Sequence, residues 1–103
     1  MRGMSYVHMA GNVGQQPKFS TTPNGTPVAK VRLAVSRWDA KSEADVTDWW
    51  NVAVWGRSAE QATKILRPGT GVMFRGTPTI DEWVDNSGTK RRDVVVNADT
   101  FTV

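Results

Sequence analysis

What most constrains this chain is a repeated two-residue alternation, broken at short intervals by glycine and proline. From Val28 to Ser36, Ala29, Val31, Leu33 and Val35 fall on one side, and Lys30, Arg32, Ala34 and Ser36 on the other. A period of two is that of a half-buried β-strand, because successive side chains leave a pleated strand on opposite faces. Asp48 to Trp55 alternates likewise, with Trp49, Asn51, Ala53 and Trp55 on one face and Trp50, Val52 and Val54 on the other. Further strands are expected at Tyr6 to Ala10, Lys18 to Thr21, Gly71 to Thr77, Thr79 to Val84 and Arg91 to Phe101. Gly11-Asn12-Val13-Gly14 offers a bend or bulge, and Thr22-Pro23-Asn24-Gly25 and Asp85-Asn86-Ser87-Gly88 are turn signals. Asp39 to Thr47 lacks apolar periodicity and reads as an exposed loop.

A single helix signal interrupts the strands. Ser58 and Gln61 have capping-box spacing, Ala59, Ala62 and Leu66 recur at helical intervals, and Pro68-Gly69 ends the run, so a helix is expected from Ser58 to Arg67. The fold class is therefore all-β, with one short helix between the third and fourth main strands. That order is the order of a five-stranded OB-fold barrel. No repeat or linker divides the sequence, so residues 1–103 are expected to form one domain.

Composition narrows the function classes. Thirteen Lys and Arg against ten Asp and Glu give a formal charge of +3, which suits a polyanionic partner. Cysteine is absent, which removes disulfides, thiolate metal sites and a cysteine nucleophile together. No apolar run approaches the roughly 20 residues of a membrane span, and Met1 to Ala10 lacks the apolar block of a signal peptide, so the chain is expected to stay inside the cell. At this length partner chains often add stability, so an oligomer is expected. His8 stands alone, and Asp81, Glu82 and Asp85 share a hairpin with neither histidine nor a phosphate-cradling loop. Those patterns offer no catalytic residue, metal site or cofactor site. The unusual feature is five tryptophans, Trp38, Trp49, Trp50, Trp55 and Trp83, more indoles than one small core ordinarily hides.

Three stretches then resemble bacterial single-stranded DNA-binding proteins. They are Gly11-Asn12-Val13-Gly14-Gln15-Gln16-Pro17 with Pro23-Asn24-Gly25; Trp49 to Val54 with Trp55-Gly56-Arg57-Ser58-Ala59-Glu60; and Leu66-Arg67-Pro68-Gly69 leading to Arg75-Gly76. The likeness continues through Trp83-Val84-Asp85-Asn86-Ser87-Gly88 into Val94-Val95-Val96 and spans nearly the whole chain in order. The resemblance implies an OB domain assembled as a homotetramer, with a dimer as the alternative, around which single-stranded DNA wraps in the cytoplasm, on the nucleoid. It also implies that Trp38, Trp49 and Trp83 stack bases, with Trp55 at a further aromatic position that is often Phe. Two departures stand out. The family's acidic C-terminal tail, which recruits replication and repair proteins, has no counterpart here, so that role is not expected of this sequence. Trp50 stands where the family commonly carries His near a subunit interface, which puts the tetramer in question.

The residue chemistry agrees with that implication. A single strand exposes base faces and phosphates, so a sequence-tolerant binder needs flat aromatic platforms beside cations. Trp49 and Trp55 share a strand face, Trp38 ends a strand beside a polar loop, and Trp83 sits among carboxylates; Trp50 points the other way, to core or interface. Lys30, Arg32, Arg37, Arg57 and Arg91 interleave with these indoles and are the phosphate candidates. Arg75 is ambiguous, and Lys64 and Arg67 read as solvated, Arg67 also suiting the helix C-terminus. The expected function is protection and organisation of single-stranded DNA in replication, repair and recombination, without enzymatic activity. The alternative is a dimeric OB-type primosomal accessory protein that docks other proteins, which needs fewer indoles.

Overall fold

Alternation becomes six strands and one helix in a computed structural model that describes residues 1–103. They are β1 (Val7–Val13), β2 (Lys18–Thr21), β3 (Pro27–Asp39), β4 (Ala44–Trp55), α1 (Arg57–Ile65), β5 (Gly71–Val84) and β6 (Lys90–Thr102). The sheet runs β1-β5-β6-β4-β3, and β1 also pairs with β3, so five strands close into a barrel with β2 as a short addition along β3. Every pairing is antiparallel except β4 with β6, where Asn51 to Val54 run parallel to Val95 to Ala98. With α1 between the third and fourth strands of the ring, this is the expected OB barrel.

Closure depends on β1, which pairs with β5 from Val7 to Asn12 and with β3 at Asn12 and Val13. Gly11 sits at the crossing, where a Cβ would lie 2.2 Å from the Ala34 carbonyl oxygen. Glycine is thus required by close approach, and the strand runs on to Val13 without a register shift as it passes from β5 to β3. The inward residues fill the ring: Val13, Leu33, Val52, Val54, Phe74 and Val96 are fully buried, and α1 adds Ala59 and Ala62, followed by Leu66. Apolar area removed from water, worth about 25 cal/mol per Å², is what holds strands with such different sequence separations together.

Three local expectations change. Asp39 to Thr47 is mostly strand, because the β3–β4 ladder continues through Ser36↔Thr47, Arg37↔Val46, Trp38↔Asp45 and Asp39↔Ala44. Both faces of that ribbon are largely solvated, so main-chain pairing forms it without an apolar period. The Ser58–Gln61 capping box does not form: Gly56, at φ 71°, is the N-cap, and no side chain caps the helix. Finally, β5 is continuous through Pro78, with an irregularity at Arg75/Gly76. Beyond Gly76 only β6 flanks β5, so proline sits on an edge segment, where a missing N–H is tolerated.

Candidate nucleic-acid interface

The outward faces of β3, β4, β6 and β5 are aligned in ranks by the strand register. One rank runs Arg32, Asn51, Val95, Thr79, and the next Lys30, Ala53, Asn97, Thr77. Over these ranks lies a groove of about 610 Å³ with Trp55 and Trp83 in its lining. Lys18, Lys30 and Arg32 contribute cations from the β2–β3 side, and Asp81 and Asp93 carboxylates from the β5–β6 side. Asp81 and Asp93 are directly opposed across the strands, and neither has an ion-pair partner.

The indoles are held differently. Trp55, the last residue of β4, donates its Nε1–H to Asn97 Oδ1 at 2.9 Å, and Asn97 Nδ2 donates to Thr79 Oγ1 at 2.8 Å. Trp49 lines an adjoining depression of about 790 Å³ with Arg32, Asp48, Trp50 and Asp93. Its ring lies against Gly14, where a Cβ would come within 2.3 Å of Trp49 Cζ3. The Arg32 guanidinium is 5.6 Å from the Trp49 ring centroid, a cation–π distance, and Arg32 Nη1 donates to Asn51 Oδ1 at 2.9 Å. Trp38, opposite Asp45 in the β3–β4 ribbon, lines neither depression. Trp38, Trp49, Trp55 and Trp83 are 63, 49, 42 and 44 % exposed, so none of the four is a core residue. Trp50 packs against the core, on the opposite face from Trp49 and Trp55.

Of the cations, Lys30 and Arg32 line the groove and form no ion pair, and Arg57, the first residue of α1, is exposed and unpaired but lies outside it. Arg37 is engaged by Asp48 at 2.6 Å and Asp39 at 3.5 Å, and Arg91 by Asp85 at 2.9 Å. Asp39 is held below the usual carboxylate range chiefly by the Ser42 hydroxyl and amide, with Arg37 adding to them. Asp85 is lowered further, to about 2, by the Ser87 hydroxyl, Arg91 and the Thr89 amide. These bonds order the tip of the β5–β6 hairpin that carries Trp83. Elsewhere, the Arg75 guanidinium lies 5.5 Å from the Tyr6 ring centroid and lines neither depression, and Arg67 donates to the Thr63 and Leu66 carbonyls at the end of α1.

Residues 4–103 match the model of the single-strand binding protein family. The chain belongs to that family. It is also 33 % identical over 95 residues to a single-stranded DNA-binding protein of Thermosynechococcus vestitus, an alignment covering 91 % of this chain and 77 % of the relative.

In this member of the single-strand binding protein family, sequence reasoning missed Lys18, Asn51, Thr79 and Asn97, all of which line the groove. Asn51 was within reach of the alternation that paired Trp49 with Trp55. Asn97 and Thr79 were not, since only the β4–β6 and β5–β6 registers bring them beside Trp55.

Proposed function

We propose that this chain binds single-stranded DNA without regard to sequence, stacking bases on Trp55 and Trp83 within the groove and on Trp49 and Trp38 beyond it. The observation that carries the reading is one groove lined both by two half-exposed indoles, Trp55 and Trp83, and by Lys30 and Arg32, which form no ion pair. Every base has a π-face, and stacking on an aromatic side chain contributes about 1–3 kcal/mol per base, so a few platforms supply most of the affinity. A duplex hides those faces and gains little here. Lys30, Arg32 and Arg57 offer unpaired charge to phosphates, whereas Arg37 and Arg91 share theirs with carboxylates and exert a weaker pull. The protein acts as a binder and not an enzyme, covering single strands during replication, repair and recombination. Its expected setting is the cytoplasm, on the nucleoid, as a homotetramer or a dimer.

The deciding experiment follows intrinsic tryptophan fluorescence during titration with poly-dT at several salt concentrations, beside duplex DNA of equal length. Quenching by the single strand alone, weakening with salt, supports stacking. Binding without quenching makes the indoles structural and shifts the reading toward a protein-docking OB module.

A further inference from the structure

Trp55 ends β4, and Gly56 at φ 71° turns the chain into α1, so little local structure fixes how the 42 % exposed indole is aimed. What fixes it is a relay of side chains across the outer face of the barrel. The indole Nε1–H can only donate, which requires Asn97 to present Oδ1 to it, at 2.9 Å. Asn97 Nδ2 must then find an acceptor and meets Thr79 Oγ1 at 2.8 Å, and the Thr79 hydroxyl in turn donates to the Val95 carbonyl at 3.3 Å. A main-chain carbonyl only accepts, so both ends of the relay have fixed polarity and every bond has one direction. The relay runs from β4 over β6 to β5, three strands whose register is set by the barrel core.

From this geometry we infer that Asn97, backed by Thr79, is a positioning residue that fixes the Trp55 ring before DNA arrives. The inference rests on the reading of Trp55 as a stacking platform. An aromatic ring already held by its nitrogen edge loses less rotamer freedom when a base settles on its face, and that saving appears as affinity. Asn97 itself need not touch the strand.

The test is a double-mutant comparison of oligo-dT affinity, by anisotropy of a labelled strand. Asn97→Leu is expected to weaken binding about two- to tenfold, the range that ordering one side chain on binding implies. Thr79→Val, which removes the acceptor behind Asn97, acts in the same direction and serves if Asn97→Leu does not fold. In a Trp55→Phe background, which has no N–H to anchor, either substitution is expected to change affinity by less than about twofold. In the free protein, the Trp55 indole Nε1–H resonance is expected to shift upfield and exchange faster in both variants. Equal losses in the Trp and Phe backgrounds, or an unmoved indole resonance, overturn the inference while single-strand binding stands. Failure of the unsubstituted chain to bind oligo-dT overturns the functional reading beneath it.

Discussion

Each indole has its own test, because five tryptophans of one chemistry occupy unlike places. Trp55→Ala and Trp83→Ala are each expected to weaken oligo-dT binding by about 1–3 kcal/mol, read by anisotropy titration, with little change in the denaturation midpoint. Trp50→Ala should do the reverse, lowering stability by roughly 2–4 kcal/mol because the ring packs on the core. Gly14 supplies a sharper test of Trp49. A methyl at Gly14 would stand 2.3 Å from Cζ3 of that ring, and Trp49 is exposed enough to swing away. Gly14→Ala is therefore expected to lower DNA affinity about as much as Trp49→Ala, and to add little when the two are combined. The split between Trp50 and its neighbours was legible in the sequence, since alternation alone put Trp49 and Trp55 on one face. The meeting of Trp55 with Trp83 was not, because it depends on how β6 is inserted between β4 and β5.

Among the elements, the β3–β4 ribbon was the least legible, and for one physical reason. It extends past the barrel, where neither face is buried and no apolar period marks a strand, so it reads as loop although its ladder persists to Asp39↔Ala44. The β5–β6 turn was legible from Asp85-Asn86-Ser87-Gly88, and its order rests on the Asp85 carboxylate. That carboxyl is lowered from 3.8 to about 2, so its ionised form favours the ordered tip. The contribution is fully present above pH 3.8 and is lost as pH falls through about 2. Protection of the Ser87 and Thr89 amides from exchange, taken relative to the intrinsic rate at each pH, is expected to fall across that window in the native chain. In Asp85→Asn the same amides should be less protected already at neutral pH and lose the acid step. Protection that stays flat down to pH 2 would show that the tip is held by backbone pairing alone.

At the scale of the whole molecule, the formal charge of +3 understates how polarised the groove face is. Lys18, Lys30 and Arg32 border the groove along β2 and β3, whereas Asp81 and Asp93 border it along β5 and β6 and repel phosphate. On the proposed reading, a bound strand is expected to have its backbone drawn to the β3 side and its bases laid across toward Trp83. Net charge and motif order gave the class of partner, but this lateral asymmetry needed the barrel closed and the register known. It makes a quantitative claim about salt. For single strands, the slope of log K against log salt changes by about 0.7 for each phosphate neutralised. Lys30→Ala should flatten the slope by roughly that amount, and Arg37→Ala by clearly less, because Asp48 and Asp39 already share the Arg37 charge. Asp81→Asn with Asp93→Asn should tighten binding at low salt, and the gain should fade as salt screens the groove. Titrations of labelled oligo-dT from low to high salt measure all three. Equal slope changes for Lys30 and Arg37 would mean that the strand displaces the Arg37 ion pairs and follows the β3–β4 ribbon past Trp38, a longer path than the groove alone provides.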